Sequence, residues 1–392
     1  MSGKPLVRSA VLLLCLAVVV SLSAVGCGEQ KVDTSKETYK IGAVLSLSGP
    51  AAPLGQPEQR ALEMLQEQLN AGAGVEGHQV EFVIEDDESL PAKATEAMNK
   101  LITTENVAAV IGSSTTGASL AMSEIAQSKQ IPLVVCAAGT QLTQPVKKYI
   151  FRTPPTDSMA IAKVLDYLVN KAKVKKIAIL HDANAFGTGG ADELAKKAPG
   201  EGVEVVARES YGSTDTDMTA QLTKIKETPA EALVVWGTNP GPAIIAKNMQ
   251  QLGMNIPFVG SHGIANKKFI ELAGAAANGV VFPAGKMLIP SSIPEDSEWR
   301  TAVDDFKTEF QTKYNLEADT FAGHGYDAGL IVTDAMKTAG TDKAMLRNQI
   351  EKTKDLVGIG GIFTYSPTNH DGLSEDDLMM IKIANGNWTE DK

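Results

Sequence analysis

Short apolar runs alternate with segments of helical periodicity along the first half of the chain. Ala61, Leu62, Leu65 and Leu69, for example, recur at the spacing of one helix face. The predicted strands are residues 41–45, 80–85, 107–111 and 131–135, and the predicted helices between them are residues 57–70, 93–103 and 117–129. Because helices of this length separate the strands, we expect parallel pairing with right-handed crossovers.

The same alternation restarts in the second half of the chain. Its predicted helices are residues 157–171, 189–197, 218–226, 242–252 and 267–273, and its predicted strands are residues 177–180, 203–207, 232–235, 257–259 and 279–281. Three more predicted helices and a closing strand pair follow, at residues 297–314, 321–338 and 343–352, and at 361–365 with 378–383. The pattern indicates an α/β fold of two doubly wound parallel-sheet lobes.

Clusters of proline and glycine interrupt this pattern at residues 153–155, 282–285 and 358–361. Such clusters between elements suit hinge segments, so we expect three hinge crossovers between the lobes. The predicted first lobe consists of residues 38–153 and 284–359, and the predicted second lobe consists of residues 154–283 and 360–392.

The first 27 residues have the composition of a secretory signal. Lys4 and Arg8 give a positive start, residues 10–22 form an apolar run, and small residues lead into Cys27. The segment resembles the signal and lipobox of a bacterial lipoprotein, which implies a signal peptide over residues 1–26 and lipid attached to Cys27. The alternative is an ordinary secreted protein in which Cys27 only happens to follow the signal.

A lipid on Cys27 would determine where the protein works. Residues 27–37 are polar and patternless, which indicates a flexible tether. No apolar run of spanning length follows Cys27, so lipid alone would attach the chain to a membrane. We therefore expect an extracytoplasmic, membrane-anchored lipoprotein, in the periplasm or on the outer cell surface.

The net charge is −11 over 392 residues. This charge argues against a nucleic-acid partner, because phosphate backbones need a basic face. Cys15 lies in the predicted signal and Cys27 is the predicted lipid site, so Cys136 is left alone and no internal disulfide is expected. Cys136 follows an apolar run, which predicts a small buried residue.

The residues that follow the predicted strands are the candidates for a site, because ligands of open parallel sheets bind beyond the carboxyl ends of the strands. Four consecutive hydroxyl residues, 113–116, lie between Gly112 and Gly117 at the start of a predicted helix. Free N–H groups and hydroxyls there favour an anion site, and plain helix capping by Thr115 or Thr116 is the alternative. The segment lacks the lysine of a Walker loop.

Catalytic and metal-binding patterns are missing from the sequence. The five histidines are scattered, with no pair at metal-ligand spacing, so we expect no metal, no cofactor and no enzymatic activity. The acidic residues 86–88 are predicted to form a solvated turn, with a cation site as the alternative. His181 followed by Asp182 resembles a base with its orienting acid, but adjacent strand residues usually point apart.

Several segments are similar, in order, to one known family. They are residues 39–50, 86–87, 110–112, 151–153, 258–260 and 325–328. The chain resembles the leucine/isoleucine/valine-type periplasmic binding proteins, the type I solute-binding proteins of branched-chain amino acid ABC transporters. The resemblance implies a monomeric, non-enzymatic protein whose two lobes close on a small ligand, with permease and ATPase subunits as partners. A ligand-sensing subunit that acts on a membrane receptor is the alternative.

The resemblance also implies roles for individual residues. Thr116 matches the hydroxyl donor to the ligand carboxylate, and Phe186 matches an aromatic wall of the second lobe. The complete set of expected ligand-binding residues is Leu54, Ser114, Thr115, Thr116, Ala137, Ala138, Gly139, Thr140, Phe186, Thr238, Asn239, His262 and Phe321.

One position departs from the family. Where the amino-acid binders usually present an acidic residue to the ligand ammonium, this chain has His262. A cationic imidazole would leave that ammonium without compensation, unless Asp157 or Asp182 takes over. We therefore expect the ligand to be a small organic carboxylate, either an amino acid or an aromatic or aliphatic acid without an α-ammonium.

Overall fold

The computed structural model describes residues 36–391, so the predicted signal segment, Cys27 and most of the tether lie outside the described residues. The first sheet is built from β1 (Tyr39–Leu45), β2 (Val80–Asp86), β3 (Val110–Gly112), β4 (Leu133–Val135) and β5 (Ile150–Arg152). The helices between these strands are α1 (Ala52–Ala71), α2 (Pro91–Thr103) and α3 (Thr116–Lys129). All five strands are parallel and lie in the order β2-β1-β3-β4-β5.

Helices cover both faces of this first sheet, which explains the apolar runs at residues 41–45, 110–111 and 133–135 in its inner strands. On β1, Ile41 and Leu45 belong to one buried cluster, while Val44 belongs to another on the opposite face. The second cluster contains Met98 of α2 and Met122 of α3. A short all-apolar strand buried on both sides is therefore stabilised by two separate sets of helix contacts.

The second lobe continues the same alternation around a larger sheet. Its helices are α4 (Asp157–Asp166), α5 (Ala185–Lys197), α6 (Thr219–Lys226), α7 (Gly241–Gln251) and α8 (Lys267–Ala273). Its first strands are β6 (Lys176–Asp182), β7 (Glu204–Tyr211), β8 (Ala232–Trp236), β9 (Phe258–Gly260) and β10 (Val281–Gly285). These strands pair in parallel in the order β7-β6-β8-β9-β10.

After β10 the chain returns to the first lobe and then comes back once more. The elements of this part are α9 (Glu298–Tyr314), α10 (Thr320–Ala339), α11 (Lys343–Glu351), β11 (Leu356–Val357), β12 (Ile362–Phe363), β13 (Leu378–Ala384) and β14 (Asn387–Glu390). Ile331 and Met336 of α10 lie in the buried cluster of Ile41. At the far end, β13 and β14 add antiparallel strands to the second sheet beside β10.

The predicted pairing of residues 361–365 with 378–383 is wrong. Instead, β12 pairs with β11, and β13 pairs with β10 and β14. Phe363 and Tyr365 are buried in the first-lobe core, where Tyr365 meets the Phe151 ring edge-on with centroids 5.4 Å apart. These aromatic contacts keep the chain on the first lobe beyond the predicted break at 358–361.

A buried guanidinium joins the end of β5 to two other segments. Arg152 donates to the carbonyl oxygens of Ala138 (2.6 Å) and Gly139 (2.9 Å), in the loop after β4. Its Nε lies 3.1 Å from a carboxylate oxygen of Asp371, and both side chains are buried. The chain crosses between the lobes three times, after β5, after β10 and after Asp371. The Arg152 side chain therefore fixes the loop after β4 against the first and the third of these crossings.

Replacing Asp371 by asparagine leaves the Arg152 charge buried without its counter-ion. Breaking a buried pair on one side costs about 3–5 kcal/mol, so we expect the free energy of unfolding to fall by about that amount. Urea unfolding measures this fall. The matched control is Asp334→Asn, which breaks an exposed pair with Lys337 and should cost less than about 1 kcal/mol. Equal losses in the two variants would contradict the role of Asp371.

Candidate functional site

A cavity of about 310 Å³ lies between the two lobes. It opens beyond the carboxyl ends of β3 and β4 in the first lobe and of β8 and β9 in the second, where a ligand site is expected in such folds. The expected ligand-binding residues that line it are Leu54, Ser114, Thr115, Thr116, Ala137, Ala138, Phe186, Thr238, Asn239, His262 and Phe321. Gly139 and Thr140 do not line the cavity; the Gly139 carbonyl accepts from Arg152, and the Thr140 hydroxyl donates to Glu193.

The N-terminus of α3 opens onto this cavity. Thr115 occupies the N-cap position, but its side chain makes no capping hydrogen bond. The first backbone bond of the helix runs from the Ser119 N–H to the Thr115 carbonyl, so the N–H groups of Thr116, Gly117 and Ala118 have no backbone acceptor among the described residues. Unpaired N–H groups and the positive end of the helix dipole attract an anion. The plain-capping alternative is not what the structure shows.

The hydroxyl groups around this helix start serve two different purposes. The Ser114 hydroxyl donates to Glu58 (2.5 Å) and accepts the Ser46 N–H (3.1 Å), so it is used within the protein. Burial raises the pKa of Glu58 well above its usual range. The Thr116 oxygen accepts the Gly139 N–H (3.3 Å), which leaves the Thr116 hydroxyl proton for an acceptor in the cavity.

Hydrogen bonds between the lobes hold the cavity closed. The Thr140 hydroxyl of the first lobe donates to Glu193 of α5 (2.8 Å). On the other side, the Asn266 amide of the second lobe donates to the Pro53 carbonyl of the first (3.4 Å). Thr140 therefore contributes to closure of the lobes and not to the cavity wall.

Aromatic rings line the cavity from both lobes. In the second lobe, the Phe186 ring meets the His262 imidazole edge-on, with centroids 5.5 Å apart. The buried Trp236 indole meets the same imidazole at 5.9 Å. In the first lobe, the Phe321 ring meets the His324 imidazole edge-on at 6.0 Å. Walls of this kind favour a ligand with an apolar body.

The His262 imidazole is neutral in this cavity. Burial lowers its pKa to about 3, and the nearby Arg152 charge contributes to the shift. Its Nε2 lies 3.8 Å from a carboxylate oxygen of Asp157, beyond hydrogen-bond distance. Burial also raises the pKa of Asp157 to about 7, although Trp236 donates to this carboxyl (3.1 Å). His262 therefore does not repel a ligand ammonium, but it supplies no negative charge to balance one.

The family model of the periplasmic binding proteins matches residues 38–387. The chain belongs to this family. The Leu/Ile/Val-binding protein homolog 3 of Brucella melitensis is 26% identical, with 88% of this chain and 91% of that protein covered. The leucine-, isoleucine-, valine-, threonine-, and alanine-binding protein of Pseudomonas aeruginosa is also 26% identical, with 91% of each chain covered. These relatives are named as binding proteins and not as enzymes.

Solved structures confirm the predicted fold of this periplasmic binding protein. An extracellular ligand-binding receptor from Rhodopseudomonas palustris superposes with a TM-score of 0.85 at 29% identity, covering 91% of this chain and 100% of that one. The isoleucine complex of the branched-chain amino acid transporter substrate binding protein LivJ from Streptococcus pneumoniae gives 0.81 at 28% identity, covering 90% and 98%. The two-lobed α/β architecture is thus shared with known binding proteins.

Two acidic segments that the sequence singled out have structural roles in this binding protein. Asp87 is fully buried and accepts the hydroxyls of Ser46 (2.7 Å) and Ser113 (2.5 Å), so the prediction of a solvated turn is wrong for it. His181 and Asp182 do not form a base and orienting acid, because Nδ1 of His181 lies 2.8 Å from the Asp182 backbone oxygen. Within residues 36–391, no three His, Cys, Asp or Glu side chains form an arrangement that could hold a metal ion.

His324 and Cys136 are among the cavity residues that were not expected from the sequence. His324 lies within the predicted helix 321–338, whose periodicity marks it only as an interior position, yet its side chain lines the cavity. His324 directly precedes residues 325–328, which are similar to a segment of the binding-protein family. This position is the sequence feature that could have identified it as a cavity residue. Cys136 also lines the cavity, and burial raises the pKa of its thiol well above the usual range, which makes it an unreactive wall residue.

The buried imidazole of His262 predicts a specific dependence of stability on pH. The ordinary pKa of a histidine is 6.5, and burial in the fold lowers it to about 3 for His262, so the unfolded chain binds a proton that the folded protein does not. His262 therefore lowers stability as the pH falls below the unfolded value. Relative to His262→Gln, we expect the wild-type free energy of unfolding to fall by about 2 kcal/mol between about pH 8 and about pH 5.

Urea unfolding of the wild type and His262→Gln at both pH values measures this difference. The comparison between the two proteins removes the contributions of the other buried groups, such as Asp157. The same pH dependence in both proteins would show that His262 accepts a proton in the folded state.

Proposed function

We propose that this protein is the extracytoplasmic solute-binding lipoprotein of an ABC importer, and that it captures a small organic carboxylate between two closing lobes. The observation that carries the proposal is the N-terminus of α3, which opens with unpaired N–H groups into a cavity between the lobes. An anion is the ligand group that such a helix end favours.

The proposed ligand carboxylate lies against the start of α3. It accepts hydrogen bonds from the free N–H groups there and from the Thr116 hydroxyl, whose oxygen is already held by Gly139. Charge-assisted hydrogen bonds of this kind are stronger than neutral ones. The apolar body of the ligand then lies between Phe186 of the second lobe and Phe321 of the first.

Ligand contacts to both lobes favour the closed arrangement. A protein with open and closed states shifts toward the state that the ligand binds better. The Thr140–Glu193 and Asn266–Pro53 hydrogen bonds join the lobes when they are closed. Closure is therefore stabilised both by the ligand and by direct bonds between the lobes.

The membrane part of the proposal depends on the N-terminal segment. Residues 36–391 contain no helix that is both long and apolar enough to cross a membrane. The lipobox resemblance at Cys27 supports attachment by lipid, and the relative from Streptococcus pneumoniae is named as a transporter's substrate binding protein. We therefore propose permease and ATPase subunits as the partners of the closed protein.

The proposed ligand is a carboxylate with an apolar body, and two subclasses fit that description. The names of relatives such as the Pseudomonas aeruginosa protein support an amino acid. The neutral His262, at the position where the amino-acid binders usually present an acid, supports an acid without an ammonium group.

Thr116→Val tests the carboxylate site. The substitution keeps the shape of the side chain and removes one charge-assisted hydrogen bond, so we expect binding to weaken by about 1.5–3 kcal/mol. Calorimetric titration with a carboxylate that binds the wild type measures the loss. The control is Thr308→Val, because the Thr308 hydroxyl bonds only to the Asp304 carbonyl on the exposed face of α9. Equal affinity in wild type and Thr116→Val would remove Thr116 from the site.

A further inference from the structure

Two buried imidazoles from different lobes line the cavity with unused hydrogen-bonding atoms. His262 belongs to the second lobe, and neither of its ring nitrogens has a hydrogen-bond partner among the described residues. His324 belongs to α10 of the first lobe, and its Nδ1 also has no partner within that part of the chain. The two rings are close enough for His262 to contribute to the lowered pKa of His324.

Unused polar atoms of this kind are costly when they are buried. A buried donor or acceptor without a partner loses its hydration without compensation, and most such groups in folded proteins are paired. The His262 side chain is only 10% exposed, and His324 is 7% exposed. Because both line a cavity of ligand size, a ligand is the natural source of the missing partners.

The charge state of the pair limits the chemistry of that partner. Burial lowers the pKa of both imidazoles to about 3, so each ring offers one donor and one acceptor and no charge. Asn239 adds a third neutral group, since its Nδ2 donates to Asn266 (2.9 Å) and its Oδ1 has no partner among residues 36–391. A hydroxyl, which both donates and accepts, suits all three groups, while a carbonyl, which only accepts, suits the imidazole N–H groups and leaves the Asn239 oxygen unpaired.

The acidic residues nearby already accept hydrogen bonds from the protein. The Asp182 carboxylate lines the cavity, but it accepts the Asn184 N–H (3.0 Å) and the Ser213 hydroxyl (2.7 Å). The Asp157 carboxyl accepts the Trp236 N–H (3.1 Å). Burial raises the pKa of Asp182, and it raises the pKa of Asp157 to about 7, so the Asp157 carboxyl carries only part of a negative charge near neutral pH.

We propose that His262 and His324 together bind a neutral oxygen, a hydroxyl or a carbonyl, on the carboxylate ligand, and that the preferred ligands are hydroxy or oxo acids. The inference rests on the proposed capture of a carboxylate and names its ligand class. Since the two imidazoles come from opposite lobes, one ligand oxygen that contacts both also holds the lobes together.

Two series of ligands that differ only in one group test the inference. The first series is isocaproate, its α-hydroxy and α-oxo derivatives, and leucine; the second is phenylpropionate, phenyllactate, phenylpyruvate and phenylalanine. The full-length protein, purified in detergent and freed of carried-over ligand, is titrated with each by calorimetry. In at least one series we expect the hydroxy or oxo acid to bind about tenfold or more tightly than both the amino acid and the unsubstituted acid.

His262→Phe and His324→Phe test whether the pair produces this preference. Each variant should reduce the ratio between the affinities for the oxygen-bearing acid and for the unsubstituted acid to about one. His262→Glu should move the preference toward the amino acid. The matched control is His181→Gln, because His181 is also a buried imidazole but its Nδ1 and Nε2 both have protein partners.

The outcomes separate this inference from the function on which it rests. If the amino acid binds most tightly, or if the unsubstituted acid binds as well as the oxygen-bearing acid, the inference is wrong while carboxylate capture stands. If none of the eight acids binds, the proposed function fails and the inference fails with it. Should a phenylalanine variant not fold, as judged by thermal unfolding without ligand, His262→Leu and His324→Leu take its place, because leucine also lacks hydrogen-bonding atoms, and an unchanged ratio in them overturns the inference.

Discussion

The burial of one guanidinium is the constraint on which the rest of this molecule depends. A buried cation must have a counter-ion and hydrogen-bond acceptors, or it destabilises the fold by several kcal/mol. Arg152 satisfies this requirement with Asp371 and with the carbonyl oxygens of Ala138 and Gly139. These partners lie in segments that are far apart in the chain. The hydrogen bonds and the ion pair of Arg152 therefore bring the loop after β4 and two of the inter-lobe crossings together at the edge of the cavity.

The arrangement of the cavity follows from that constraint. With its carbonyl held by Arg152, Gly139 directs its N–H to the Thr116 oxygen and so orients the hydroxyl at the α3 N-terminus. The same charge contributes to the low pKa of His262 across the cavity. The cavity therefore has both the start of α3, which favours an anion, and two neutral imidazoles in its wall. This combination matches a molecule whose only charge is negative.

The parts of the fold that rest on local pattern could be predicted from the sequence. Alternating apolar runs and helical segments identify both lobes, because strands buried on two faces must be continuously apolar. The pairing of β12 could not be predicted, since it depends on the long-range contact of Tyr365 with Phe151. The run of hydroxyls at 113–116 indicated the proposed anion site, but the different roles of Ser114 and Thr116 depend on the buried carboxyl of Glu58. The position of His324 in the cavity wall could not be predicted either, because helical periodicity does not distinguish a residue in a cavity wall from one in a packed core.

Capture of a carboxylate by the α3 N-terminus is tested most directly by comparing acids with their primary amides. The protein is first unfolded and refolded to remove carried-over ligand. Its thermal unfolding is then measured with isocaproate, benzoate or leucine, and again with the amide of each acid. A ligand present at ~100 times its dissociation constant adds about 2.7 kcal/mol to the stability of the folded state. We predict stabilisation by at least one acid and none by its amide, because the amide lacks the charge that the helix end binds. Equal stabilisation by an acid and its amide would contradict the account.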